Sequence, residues 1–223
     1  MKRHITFILT LFIFVGIANA QDWANLNKFK LENEKLDSLP KDKNRVVFMG
    51  NSITEGWKNV CPDFFKPEYI NRGIGGQTTP QMLVRFRQDV INLQPKAVVI
   101  LAGTNDIAGN TGPSTLEMIE DNIASMAQLA KANNIKVILC SVLPAYDYPW
   151  SPNKNPVEKI SKLNQWIKEY AVKNKFIYVD YYSPMVDERK GLKKEYSEDG
   201  VHPNQTGYDV MIPLVEDAIK KAL

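Results

Sequence analysis

Histidine is nearly absent from this chain: there are two in 223 residues, and His4 lies in an apolar N-terminal leader. One remaining histidine with no cysteine beside it does not complete a zinc-type ligand set, so no metal site is expected. Cysteine is as scarce. Cys140 closes the apolar run KVILC and reads as a small buried hydrophobe, while Cys61 sits in the loop NVCPDFF. Two free thiols are expected rather than a disulfide framework. A charge excess is also missing. Taking Lys2 and Arg3 from the 28 basic residues leaves 26 against 25 acidic ones, with no basic stripe for nucleic acid. There is no internal repeat, low-complexity tract or linker, and the length suits one domain over residues 21–223.

The leader MKRHITFILTLFIFVGIANA has a basic start, an apolar stretch over residues 5–17, and Ala18-Asn19-Ala20 at its end. That is the pattern of a signal peptide over residues 1–20 with an A-x-A cleavage site. Its apolar stretch is shorter than the roughly 20 residues of a membrane span. No cysteine stands at the cleavage point, which argues against a lipid anchor. The expectation is an exported chain, periplasmic in preference to secreted, with no stable membrane insertion after cleavage.

Five short apolar runs follow: RVVFM (45–49), EYINR (68–72), AVVILA (97–102), KVILCSV (136–142) and FIYVD (176–180). The clearest are continuous and β-branched, as in strands covered on both faces. Helical periodicity fills the gaps. PQMLVRFRQDVINL opens with a proline tolerated at a helix start. PSTLEMIEDNIASMAQLAKANN carries Ser114 and Glu117 in capping-box spacing, and helices are expected over residues 156–175, 204–223 and 23–36. This alternation predicts a three-layer α/β/α, flavodoxin-like domain with a five-stranded parallel sheet.

Ligands of such sheets gather at the carboxyl ends of the strands, so the loops there matter most. They read GNSIT, GIGGQTT, GTNDIAGN and LPAYDYPWSPN, with SEDGVHPNQTGY before the last helix. Ser52 is either a helix cap or a nucleophile; the G-x-S-x-G elbow is lacking. His202 is the available base. Asp199, three residues earlier, is placed to meet one ring nitrogen while the other faces a substrate. Gly76 offers an unobstructed backbone N–H and Asn105 a side-chain amide for a tetrahedral oxyanion.

Four blocks in order, MGNSIT, NRGIGGQTT, LAGTNDI and DGVHPNQTGY, resemble the SGNH superfamily of GDSL-type esterases and lipases. The likeness spans residues 45–210. It implies Ser52 as nucleophile, His202 as base and Asp199 as its orienting partner. It also implies an oxyanion hole from Ser52, Gly76 and Asn105, and no cofactor. Asn51 stands where the family name has aspartate, which implies altered local hydrogen bonding rather than lost activity.

Arg72, Tyr146 and Trp150 are expected as substrate contacts, with loop bracing the alternative for each. Asp106 and Thr104 are expected to brace the Asn105 loop. The expected activity is hydrolysis of short-chain esters, acetyl foremost, on a small molecule or glycan. A lysophospholipase or thioesterase on the same fold is an alternative. A second is a non-enzymatic flavodoxin-like module whose GIGGQTT turn cradles a phosphate or flavin.

Overall fold

The five apolar runs form five parallel strands in the order β2-β1-β3-β4-β5: β1 Val46–Gly50, β2 Tyr69–Gly73, β3 Ala97–Leu101, β4 Lys136–Cys140 and β5 Ile177–Val179. This computed structural model describes residues 22–39 and 44–223, so the expected leader lies outside the described residues. Eight helices are assigned among the described residues: α1 Lys30–Asp37, α2 Ser52–Val60, α3 Thr79–Asp89, α4 Thr104–Ala108, α5 Leu116–Ala132, α6 Pro156–Asn174, α7 Tyr182–Met185 and α8 Gln205–Ala222. No helix there is long and apolar enough to cross a membrane.

Successive strand side chains point to opposite faces, and here both faces are covered. Val47, Met49, Val98, Ile100, Val137 and Leu139 belong to one core cluster with residues of α3, α5 and α6. Val46, Phe48, Val99, Leu101, Ile138 and Val179 belong to the other, with Trp57 of α2 and Tyr208, Met211 and Val215 of α8. That is why β1, β3 and β4 read as unbroken apolar runs. Cys61 and Cys140 are buried free thiols, and burial pushes the Cys140 thiol up to about 12.

Two helix expectations shift. The N-terminal helix starts at Lys30, because the Asp22 carboxylate takes the N–H groups of Leu26 (2.7 Å) and Asn27 (3.0 Å) and Asn25 is left-handed at φ 55°. Residues 23–28 form turns instead. The cap of α5 is Thr115, whose hydroxyl accepts from Met118 N, not Ser114.

Strand register places the candidate site. Gly50 pairs with Gly73 on one side and Leu101 on the other. The first three strands therefore end level, and the loops carrying Ser52, Gly76 and Asn105 leave the sheet side by side. Gly73 is required here: a Cβ would lie 2.1 Å from the backbone nitrogen of Glu55, where α2 packs on the end of β2. The histidine loop arrives by helix docking. Tyr208 of α8 stacks on Trp57 with ring centroids 5.2 Å apart and donates its hydroxyl to the Ile53 carbonyl at 2.7 Å. That contact holds the start of α8, and the loop before it, against the start of α2.

Candidate active site

Ser52 is the first residue of α2, but it does not cap the helix. Asn51 does, its Oδ1 accepting from Ile53 N at 3.0 Å, a task aspartate also performs well. The serine hydroxyl is left for another partner: Oγ lies 2.9 Å from Nε2 of His202. On the far side of the ring, Nδ1 lies 2.6 Å from Oδ2 of Asp199. A carboxylate there fixes the tautomer with Nδ1–H donating and Nε2 accepting from the serine.

Asp199 is itself held. Its Oδ1 accepts from the Ser197 hydroxyl (3.1 Å) and from the backbone N–H groups of Val201 (2.9 Å) and His202 (2.8 Å). Partial burial works against its charge. The His202 hydrogen bonds, the Val201 N–H and the histidine charge outweigh that and lower the carboxyl to about 2.

The oxyanion side is equally constrained. Asn105 is buried and spends one amide hydrogen on the Gln77 carbonyl at 3.0 Å, which leaves the other to donate. The backbone N–H groups of Ser52 and Gly76 have no partner among the described residues. Asp106 braces this corner by taking the N–H and the hydroxyl of Thr79, with hydroxyl to Oδ1 at 2.6 Å. Burial raises its carboxyl to about 6, against the pull of those bonds. Thr104 donates its hydroxyl to Tyr148 at 3.0 Å. The structure thus brings Ser52, His202, Asp199, Gly76 and Asn105 to one sheet edge.

The three expected substrate contacts divide. Arg72 is 1% exposed and donates to Asn33 Oδ1 (2.7 and 3.1 Å), Glu32 and the Asn71 carbonyl, with its guanidinium over Phe29. It ties α1 to the sheet, so the expected substrate contact gives way to a brace. Tyr146 and Trp150 are exposed, at 58% and 43%. The Trp150 ring lies 5.9 Å from that of His202, and Arg189 covers Tyr146 at 5.4 Å. A hollow of about 300 Å³ lined by Tyr146, Asp147, Arg189 and Asp199 adjoins them.

Three residues escaped the sequence reading. Glu55 accepts from Gly75 N at 2.7 Å and pairs with Lys28. Asn110 donates to the Gly76 carbonyl at 3.0 Å. Arg85, fully buried, donates to Gln77 Oε1 and to the Gly50 and Arg72 carbonyls. For Glu55 a signal existed: it lies three positions after Ser52 on the same helix, hence on the same face.

A hydroxyl, an imidazole and a carboxylate in series at the carboxyl edge of a parallel sheet, beside unbonded N–H donors, suit a hydrolase of carboxylic esters. The chain belongs to the GDSL-like lipase/acylhydrolase family, whose model matches residues 48–210. It is similar to the solved structure of a candidate acylhydrolase from Bacteroides fragilis NCTC 9343. Identity is 55% and the TM-score 0.87, covering 90% of this chain and 98% of that one. Esterase TesA of Pseudomonas aeruginosa is 28% identical over 183 residues, 78% of this chain and 83% of that protein. An acetylxylan esterase of Xylanibacter ruminicola is 26% identical, over 83% of this chain and 45% of that protein. The chain spans about half the length of the first curated relatives it matches.

Asp199→Asn is expected to lower kcat by roughly 10⁴-fold, because an amide no longer holds the imidazole in the required tautomer. A stability effect accompanies it. The folded carboxyl titrates at about 2, below its ordinary 3.8. Its contribution is therefore present above about pH 4 and is lost as pH falls through 3.8 toward 2. Thermal melts of both proteins across that range check this: the Asn variant loses less stability on acidification.

Proposed function

We propose that this protein is an exported serine esterase that removes short acyl groups, acetyl foremost, from carbohydrate esters through an acyl-enzyme on Ser52. The observation that carries it is the unbroken chain from Ser52 Oγ to His202 to Asp199. Ser52 Oγ attacks the ester carbonyl carbon while its proton passes to Nε2 of His202. Asp199 stabilises the imidazolium. The oxyanion is met by the N–H groups of Ser52 and Gly76 and the second amide hydrogen of Asn105. The alkoxy C–O bond then breaks, and His202 returns the proton to the departing alcohol. Water, deprotonated by the same imidazole, attacks the acyl carbon; the bond to Ser52 Oγ breaks, His202 returns the proton to Oγ, and the carboxylic acid leaves.

The carbohydrate reading is supported by two exposed aromatics, Trp150 with its ring 5.9 Å from that of His202 and Tyr146 in the adjoining hollow, since aromatic faces suit sugar rings. The adjoining hollow supplies Asp147 and Arg189 for hydroxyl groups. The small acyl group is supported by the likeness to an acetylxylan esterase. Export rests on the leader. The test is a substrate panel on the chain from Gln21 onward: acetylated xylo-oligosaccharides, p-nitrophenyl esters from two to twelve carbons, lysophospholipids and acyl thioesters. The highest kcat/KM is expected on acetylated sugars. A higher value on lysophospholipids or thioesters would overturn the substrate assignment while leaving the serine mechanism in place.

A further inference from the structure

We infer that Asn110 is a positioning residue for the N–H of Gly76, fixed in its working orientation by Trp150; this rests on the reading of Ser52 as nucleophile. Asn110 is exposed, yet both ends of its carboxamide are engaged. Nδ2 donates to the Gly76 carbonyl at 3.0 Å, and Oδ1 accepts from Nε1 of Trp150 at 2.9 Å. An indole N–H only donates and a carbonyl only accepts, so the partners dictate which end of the amide faces which. The backbone of Asn110 is anchored too, its N–H donating to the Asn105 carbonyl at 3.0 Å. One residue therefore joins the two oxyanion donors that lie outside the serine loop.

The N–H in question belongs to the peptide between Gly75 and Gly76. On one side of it Glu55 accepts from Gly75 N; on the other Asn110 holds the Gly76 carbonyl. Gly76 sits at φ +74°, and two consecutive glycines carry no Cβ to restrict rotation. The flanking hydrogen bonds supply that restriction. Oxyanion donors act by being aimed in advance at the developing charge. Releasing the Asn110 bond lets the peptide turn and its N–H leave that aim. The Ser52–His202–Asp199 chain is untouched by such a change.

The test compares Asn110→Ala, Asn110→Asp, Trp150→Phe and Ser52→Ala on p-nitrophenyl acetate over a range of pH. Asn110→Ala is expected to lower kcat by about 10- to 100-fold with KM within about twofold, as when a transition-state interaction is lost. The pH–rate profile keeps its shape, because the base and its partner are intact. Asn110→Asp falls at least as far: it still accepts from Trp150 but offers the Gly76 carbonyl no donor. Being isosteric, it also serves if the alanine variant fails to fold. Trp150→Phe keeps a ring against His202 and falls by less. An Asn110→Asp enzyme with wild-type kcat, a loss carried by KM alone, or a shifted pH profile in Asn110→Ala overturns the positioning role. If Ser52→Ala keeps wild-type hydrolysis, the underlying serine reading fails instead.

Discussion

Ser52→Ala is expected to lower kcat on p-nitrophenyl acetate by about 10⁴- to 10⁶-fold, the range for removing the nucleophile of a serine hydrolase. The size follows from the connectivity. With the hydroxyl gone, Nε2 of His202 loses the partner it holds at 2.9 Å, and the Asp199 carboxylate orients a base with nothing to deprotonate. The free N–H groups of Ser52 and Gly76 persist, so the residual rate reflects binding and charge stabilisation only. Structural damage should be slight. Asn51 caps α2, so the serine side chain is not needed to start the helix. Steady-state kinetics with a thermal melt separate the two: activity collapses and the melting temperature barely moves.

Arg85→Ala is expected to have the largest effect on stability, a loss of about 3–5 kcal/mol, because it removes one partner of a buried ion pair. Arg85 and Asp89 pair at 3.0 Å with side chains 0% and 1% exposed. The same guanidinium donates to the carbonyls of Gly50 (3.0 Å) and Arg72 (2.8 Å), at the ends of β1 and β2, and to Gln77 Oε1 (2.6 Å). The alanine variant leaves Asp89 with Asn33 Nδ2 and strands acceptors that water does not reach. For a chain of this size that loss corresponds to roughly 6–20 °C in melting temperature. Activity should fall as well, since Gly50 leads into Ser52 and Gln77 follows Gly76. Chemical denaturation gives the free energy directly, and a loss under about 1 kcal/mol would contradict the network described.

The strands and the residues of the candidate site were legible in the sequence for a common reason. Strands covered on both faces are unbroken apolar runs, and each candidate residue follows a strand end or lies in the loop before the last helix. Ser52, Gly76, Asn105, Asp199 and His202 therefore stood out by position. What stayed hidden depends on tertiary register. Asn110 and Gly76 are 34 positions apart and Arg85 and Gly50 are 35, and a carboxamide in a glycine-bounded loop looks like turn chemistry. Arg72 misled because it adjoins the glycine block. Strand alternation turns it to the opposite face from Asn71: Asn71 bonds to Thr54 of α2, while Arg72 meets Asn33 of α1. The start of α1 was misplaced because the apolar pattern of residues 23–29 continues through turns set by Asp22, a capture of N–H groups that periodicity does not register.

The most direct test of the account is labelling by a fluorophosphonate, followed by peptide mapping. One phosphonyl group per chain on Ser52 is expected, forming in step with the loss of esterase activity and blocked by His202→Ala. Full inactivation with the label on another residue, or a chain that keeps hydrolysing esters once Ser52 is fully modified, would contradict it.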